Sequence, residues 1–137
     1  SWPAESLSWA DFRGEVLGAT DPSVAPKGSI RRTILDQYKK LGLSTKPDTG
    51  DNGVHASASP FEALAERVNW LGVSASEDAF GKAMKAAGAT EDQIKNWSGD
   101  CLVEVEGETA EGKKMSVFDT LEDLDADAVL DKVKKIK

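Results

Sequence analysis

The sequence predicts a helix-rich protein of the α+β class. The chain of 137 residues has the usual size of one domain, and its hydrophobic content of 39% is enough for a packed core. Six segments repeat apolar residues at helical spacing, and one later stretch alternates apolar and polar residues as strands do. We therefore expect short helices, followed by a C-terminal β-hairpin and a closing helix.

Two helices are predicted in the first part of the chain. Residues 8–18 have an apolar stripe, with Ser8 as the capping residue and Gly18 as the stop. Residues 30–41 have the same spacing, and Gly42 follows them. The segments after each helix are rich in proline, glycine and polar residues, which is typical of loops. The predicted loops are residues 19–29 and 44–53.

The third predicted helix, residues 60–71, has the strongest signals. Pro60 fits the first helical position, where its missing N–H costs nothing, and apolar side chains line one face. Gly53 and Val54 form a short apolar stretch before it, which we interpret as the end of a strand. The residues between them would then be a turn from a strand into a helix.

The rest of the chain is predicted to contain both helices and strands. Ser76 and Thr90 are polar residues at helix starts, where their side chains would cap free N–H groups. The alternation after Cys101 favours a half-buried strand, and lysines in the last turn suit the end of a helix. The predicted elements are helices at 76–87, 90–97 and 125–137 and strands at 101–106 and 115–118, the strands joined by a hairpin-like connection at 107–114.

Composition excludes several classes of protein. The formal net charge of −7 disfavours nonspecific binding to nucleic acid or to an anionic membrane. The single cysteine, Cys101, excludes an internal disulfide framework and a cysteine-based zinc site, and no apolar run is long enough to span a membrane. The acidic segment 121–127 lacks the ligand spacing of an EF-hand, so we expect a solvated helix entry and no metal site. We expect a soluble protein. The sequence starts at Ser1 without methionine, which suits either a processed terminus, compatible with organelle import, or a boundary within a longer chain. The compartment stays open.

His55, the only histidine, is the strongest candidate for chemistry. It would lie just before a helix N-terminus, where free N–H groups and the positive end of the dipole favour an anion. Neutral imidazole is also a nucleophile near neutral pH. The alternative is an ordinary surface histidine in a loop.

Four short motifs around His55 resemble the second half of the nucleoside diphosphate kinase family. They occur in the family's order and cover residues 9–71, about half of the chain. The resemblance implies part of a ferredoxin-like domain over residues 1–72, with residues 73–137 as an extension packed on it into one compact unit. The motifs are Leu17-Gly-Ala-Thr-Asp-Pro22, Gly28-Ser-Ile-Arg31, Asn52-Gly-Val-His-Ala-Ser-Ala-Ser59 and the helix from Glu62 to Trp70.

The resemblance implies that His55 accepts the γ-phosphoryl group of a nucleoside triphosphate and passes it to a diphosphate. Ser57 and Glu66 match the residues that orient the histidine. A carboxylate bonded to one ring nitrogen would fix the tautomer and leave the other nitrogen free to attack. Without the resemblance, Glu66 could equally be an exposed helix residue.

Three further residues match the positions that bind nucleotide. Thr20 corresponds to a phosphate-contacting threonine, Arg31 to a phosphate-binding arginine, and Asn52 to the asparagine on the sugar and phosphate side. A guanidinium suits phosphate bidentately, and a magnesium ion usually accompanies the phosphates. Taken singly, Thr20 could be a turn residue, Arg31 a surface charge and Asn52 part of a turn before a strand.

The chain also departs from the family pattern. Ala58 replaces an acidic residue, and Gly14 stands where the family has an arginine. Arg13 is one position away, which in an α-helix is a rotation of about 100°. The segment between Arg31 and His55 is longer than in the family, and no segment resembles the family's first half, which supplies a phosphate-binding lysine and a base-stacking aromatic residue.

These observations predict a kinase-like chain that is non-catalytic, or catalytic only with a partner. The partner would be a larger assembly or a polypeptide with the missing half. The alternative is active phosphoryl transfer through a phosphohistidine at His55, with magnesium and nucleotide, once that half is present. An interaction subunit would instead use four tryptophans for docking, namely Trp2, Trp9, Trp70 and Trp97.

Overall fold

The computed structural model describes residues 2–3, 5–108, 110 and 112–137. They fall into two compact units, Ser1–Ala56 and Ser57–Lys137. The helix at 60–71, which the sequence prediction grouped with the first 72 residues, lies in the second unit. The described residues are rich in helix and contain one two-stranded antiparallel sheet. No described helix is long and apolar enough to cross a membrane.

The predicted helix at 8–18 is present but only begins as an α-helix. α1, Trp9–Asp11, starts where the Ser8 Oγ accepts a hydrogen bond from the Asp11 N–H at 3.0 Å. The chain continues as a π-helix, Phe12–Leu17, and the Gly18 N–H bonds the Arg13 carbonyl at 3.0 Å. Because this bond spans five residues, the turn holds one residue more than an α-helical turn.

The second helix is shorter than predicted. α2, Ile30–Gln37, begins at Ser29, whose Oγ accepts from the Arg32 N–H. The helix was predicted to reach Leu41, but its regular part ends four residues earlier. The Leu43 N–H turns back to the Tyr38 carbonyl at 3.0 Å, and Gly42 takes a φ of +79° that closes this end. The predicted loops on both sides of α2 are confirmed.

The strand predicted before His55 is wrong. Residues 51–58 are irregular, and the described part of the first unit contains no strand. Gly53 has a φ of +82°, which lies outside the extended region, and its missing Cβ would stand 3.1 Å from the Ile34 side chain. A strand also needs a neighbour for its backbone hydrogen bonds, and none is present in this unit.

The helix predicted at 60–71 is confirmed as α3, Pro60–Leu71. The Ser59 Oγ accepts from the Glu62 N–H at 3.2 Å, and the Glu62 carboxylate accepts from the Ala58 N–H. Gly72 ends the helix in the left-handed conformation. The helix therefore begins at Ser59-Pro60 as the sequence predicts, and Gly72 ends it.

The next two helices begin at different kinds of cap. α4, Ala79–Ala86, starts at Asp78 and not at Ser76, because the Asp78 carboxylate accepts from the N–H groups of the first turn at 2.8 and 3.3 Å. α5, Glu91–Trp97, starts at Thr90 as predicted, in a reciprocal capping box with Gln93.

The predicted hairpin is present with shorter strands. β1, Leu102–Val103, pairs antiparallel with β2, Met115–Ser116. The predicted second strand then turns into α6, Val117–Leu121, because the Ser116 Oγ caps the Asp119 N–H at 3.1 Å. The connection at 107–114 includes residues 109 and 111, which lie outside the described residues.

The closing helix is shorter than the predicted 125–137. α7 covers Ala126–Val133. The residues after it pair with the continuation of β1, since the Glu106 N–H bonds the Lys135 carbonyl and the Lys137 N–H bonds the Glu104 carbonyl, each at 2.9 Å. The last residues therefore exchange helical bonds for an antiparallel bridge.

A hydrophobic core fills the second unit. α3 packs against α4, α6 and α7, and Trp97 lies edge-on to Phe61 with ring centroids 6.4 Å apart. The large side chains of this core come from every helix of the unit and from β1. They are Phe61, Leu64, Met84, Ile94, Trp97, Val103, Val105, Val117, Leu121, Val129, Val133 and Ile136.

Two leucines of α3 test which face of the helix is buried. Leu64 is 1% exposed and Leu71 is 70% exposed. Leu64→Ala should lower the free energy of unfolding by about 2–5 kcal/mol, because it leaves a cavity in the core. Leu71→Ala, the matched control, should change it by less than about 0.5 kcal/mol. Urea unfolding followed by circular dichroism measures both, and equal losses would contradict this packing.

Candidate functional site

Arg31 lies between the two motifs predicted to bind nucleotide. Arg31 is only 8% exposed. The hydrogen bonds of its side chain go to backbone carbonyls of the first unit. Nη1 donates to the Gly18 carbonyl at 2.9 Å, and Nε and Nη2 donate to the Val54 carbonyl at 3.3 and 3.1 Å. The guanidinium therefore joins the loop that carries Thr20 to the segment that carries His55.

Asn52 makes a second connection between the same two segments. Its Nδ2 donates to the Thr20 carbonyl at 3.1 Å. The side chain is 3% exposed, and its Oδ1 is buried without a hydrogen-bond partner among the described residues. Thr20 itself is exposed, while its carbonyl is held by Asn52.

The first unit places a second positive charge near Arg31. Burial lowers the pKa of the Arg31 guanidinium, and the charge of Arg13 lowers it further. Arginine nevertheless stays protonated in proteins, so both groups are cationic. Their proximity raises the local positive potential, which favours an anion over a cation in this part of the unit.

The π-helix changes the meaning of the one-residue offset at Arg13. The sequence argument assumed an α-helix, in which Arg13 and Gly14 point about 100° apart. In the structure the Arg13 carbonyl accepts the hydrogen bond from the Gly18 N–H. In an α-helix the Gly14 carbonyl would accept this bond. Sequence reasoning set Arg13 aside because no sequence signal distinguishes this wider turn from an α-helical one.

Ser57 and Glu66 form a pair in the second unit. The Ser57 Oγ donates to a carboxylate oxygen of Glu66 at 2.5 Å. The family resemblance matched both residues to positions that orient the histidine, and the structure brings the two into contact. Their action on His55 stays a prediction.

His55 is exposed at the end of the first unit. Its imidazole makes no hydrogen bond to the described residues of that unit, although the preceding peptide is held through the Val54 carbonyl. The structure thus fixes the backbone that leads into His55 and connects it with Thr20, Arg31 and Asn52.

The four tryptophans differ in their surroundings. Trp97 is 5% exposed and belongs to the core, so it is not a docking residue. Trp2 stacks on Trp9 at 5.1 Å and also packs against Phe12 at 4.6 Å. Trp70 is 77% exposed and is the tryptophan of this set that solvent reaches fully.

The described residues hold no cluster of metal-ligating side chains. No group of three or more histidine, cysteine, aspartate or glutamate side chains there could hold a metal ion. In the acidic segment 121–127, the Asp123 N–H bonds the Ala58 carbonyl at 2.9 Å, and Asp125 stands at the start of α7.

No protein-family model, curated protein or solved structure matches this chain. The interpretation of the site therefore rests on its own residues and on the motif resemblance.

Two glycines test how closely the Gly18 loop is packed. Gly18 and Gly28 have φ values of +95° and +92°, but a Cβ on Gly18 would stand 2.5 Å from the Ser29 Oγ, whereas one on Gly28 meets nothing within 4 Å. Both alanine variants carry similar backbone strain. Gly18→Ala should lose about 1–3 kcal/mol more unfolding free energy than Gly28→Ala, because overpacking adds to that strain.

Chemical unfolding of the two variants gives the comparison. The same loss in both would mean that backbone conformation alone sets the requirement for glycine and that the loop is not packed against Ser29.

Proposed function

We propose that this chain is a nucleoside diphosphate kinase-like subunit with half of a nucleotide site. A protein segment outside residues 1–137, on this or another polypeptide, would complete the site. By itself the chain would bind nucleotide weakly and not catalyse phosphoryl transfer. The completed protein would have the ferredoxin-like fold of that family.

The buried Oδ1 of Asn52 is the observation that carries this proposal. A buried acceptor without a partner costs about 1–3 kcal/mol, so such atoms in native proteins need an explanation. The Nδ2 of the same amide is already bonded to the Thr20 carbonyl, which fixes which end is the acceptor. A sugar hydroxyl is a donor of the right kind, and it would reach Oδ1 once the residues that cover this atom move apart on binding. The motif resemblance implies that the sugar lies on this side.

The neighbouring groups suit the phosphates of the same ligand. Arg31 has five N–H groups, and three of them bond carbonyls, so two remain for an anion. Thr20 is an exposed residue with a hydroxyl that can donate, and the charge of Arg13 lies near Arg31. Donors, positive charge and an acceptor in the same unit match a nucleotide better than a free phosphate.

The exposure of His55 supports the need for completion. Charge stabilisation is strong where water is excluded and weak in an open site. The imidazole lies on the surface of its unit, and the chain shows no lysine motif or base-stacking residue of the family type. A completing segment would add the missing charge and exclude water.

The reaction of the completed protein follows from these groups. An imidazole nitrogen of His55 would form a bond to the γ-phosphorus as the bond to the β,γ-bridging oxygen breaks, and the diphosphate would leave with that electron pair. A second diphosphate would reverse the step. Magnesium on the phosphates would offset their negative charge. The protein would contribute mainly positioning and donors.

Labelling with γ-labelled adenosine triphosphate and magnesium tests the transfer step. The chain alone should remain unlabelled, whereas a mixture with a polypeptide that carries the family's first half should give acid-labile, base-stable label. His55→Ala should remove the label, because this residue would accept the phosphoryl group. Cys101→Ser is the control and should keep it.

Two results would contradict the proposal. Label on the isolated chain would show that completion is unnecessary. Absence of label in a mixture that forms a stable complex would exclude transfer through His55.

Nucleotide binding tests the role of Asn52. Wild-type chain should bind adenosine diphosphate about 2–12-fold more tightly than its 2′,3′-dideoxy analogue, the equivalent of one hydrogen bond. Asn52→Ala should abolish this preference, because the acceptor is gone, while Asn69→Ala on α3 should retain it. Titration followed by NMR chemical shifts measures the affinities. Equal affinity of the wild-type chain for both nucleotides would show that no sugar hydroxyl meets Asn52.

A further inference from the structure

Arg31 uses most of its hydrogen-bonding capacity on the protein itself. Three of its N–H groups bond the carbonyls of Gly18 and Val54. A residue whose only task was to bind phosphate would keep its fork open, because the bidentate geometry of arginine is what suits it to phosphate. The arrangement observed here therefore indicates a second task.

The bond to Val54 acts directly on the backbone of His55. The Val54 carbonyl belongs to the peptide unit whose nitrogen is that of His55, and a peptide unit is planar. Nε and Nη2 approach this oxygen at 3.3 and 3.1 Å, so the oxygen accepts from two neighbouring N–H groups on one edge of the guanidinium. Holding the oxygen orients the whole plane, including the His55 Cα.

The bond to Gly18 holds the other segment. Nη1 lies 2.9 Å from the Gly18 carbonyl, two residues before Thr20, and Asn52 holds the Thr20 carbonyl at 3.1 Å. Two buried side chains thus cross-link residues 18–20 with residues 52–54. The first unit has few large buried apolar residues, chiefly Leu17 and Leu35, so these polar bonds are a main constraint on its loops.

No carboxylate pairs with Arg31 among the described residues. Its partners are carbonyl oxygens, which carry only partial charge. The guanidinium is therefore fixed by geometry, and a point charge such as an ammonium could not reproduce the contacts with two separate carbonyls.

We propose that Arg31 is a positioning residue that sets the direction in which the His55 side chain leaves the backbone. The catalytic relevance of this positioning rests on the function proposed above. Arg31 would act through the Val54–His55 peptide and not through the reacting atoms. Its two remaining N–H groups can still meet phosphate, so positioning is added to that contact.

Arg31→Lys and Arg32→Lys make a matched pair for the test. Both keep a positive charge on α2. Arg32 is exposed and bonds Asp36 and the Ser23 carbonyl, so its replacement leaves the segment of His55 untouched. Backbone NMR order parameters of Val54 and His55 are the readout, with Leu35 in α2 as an internal reference.

Arg31→Lys should lower the order parameters of Val54 and His55 from about 0.85, typical of rigid backbone, to below about 0.6. Arg32→Lys should leave them as in the wild type. Unchanged order parameters in a folded Arg31→Lys chain would overturn the proposal. They do not depend on nucleotide, so they decide the positioning role even if the chain proves to bind none.

A measurement on the wild-type chain covers the case in which Arg31→Lys does not fold. The guanidinium should show slow rotation of its Nη groups and scalar couplings through the hydrogen bonds to the Val54 and Gly18 carbonyl carbons. Free rotation without such couplings would overturn the proposal, because a mobile guanidinium cannot orient a peptide.

Kinetics of the completed protein separate positioning from binding. Arg31→Lys should lower the rate of His55 labelling at saturating nucleotide by about tenfold or more, since small misplacements are costly. The half-saturating nucleotide concentration should rise by a smaller factor, because lysine keeps the positive charge but alters the phosphate contact, whereas a purely phosphate-binding role would raise this concentration and leave the saturating rate unchanged. A large rise in that concentration with an unchanged saturating rate would overturn the proposal. An unlabelled wild-type complex would instead contradict the proposed function alone.

Discussion

The interaction that recurs most widely in this structure is the hydrogen bond that a side-chain oxygen accepts from a backbone N–H at the start of a helix. The helices described here have 3 to 12 residues, and isolated helices of this length are marginal in water. Their first N–H groups have no partner within the helix. At six helix starts a side chain supplies a hydrogen-bond acceptor for such an N–H group, and each of these caps contributes about 1 kcal/mol. The capping residues are Ser8, Ser29, Ser59, Asp78, Thr90 and Ser116.

The two units are stabilised in different ways. The second unit has a continuous apolar core that includes Phe61 and Trp97. The first unit has a smaller apolar core and relies on Arg31 and Asn52, which bind carbonyls from separate loops. Hydrogen bonds that involve a charged donor are stronger than neutral ones. The residues that resemble a nucleotide site are thus also the residues that hold the first unit together.

The sequence could predict elements whose signals are local. Ser59, Pro60 and Gly72 mark α3 within a few positions, and its bounds are correct. The strand before His55 was wrong because a short apolar stretch does not reveal whether a neighbouring strand exists. The start of α4 was misplaced because Ser76 and Asp78 are both good caps, and only the fold selects between them. For the site, the resemblance singled out both Ser57 and Glu66, which are in contact in the structure. The carbonyl partners of Arg31 were not predictable, since backbone acceptors leave no trace in a sequence.

The bridge after α7 has a consequence for association between copies of the chain. An open strand edge offers unpaired N–H and C=O groups to any other extended segment. Here the residues that follow α7 cover the stretch beyond β1, through the pairing of Val105 with Ile136. Lys135 and Lys137 also place charges beside it, paired with Glu108 and Glu106. The segment thereby shields a β edge from self-assembly, a task that neither the hydrophobic core nor the site performs.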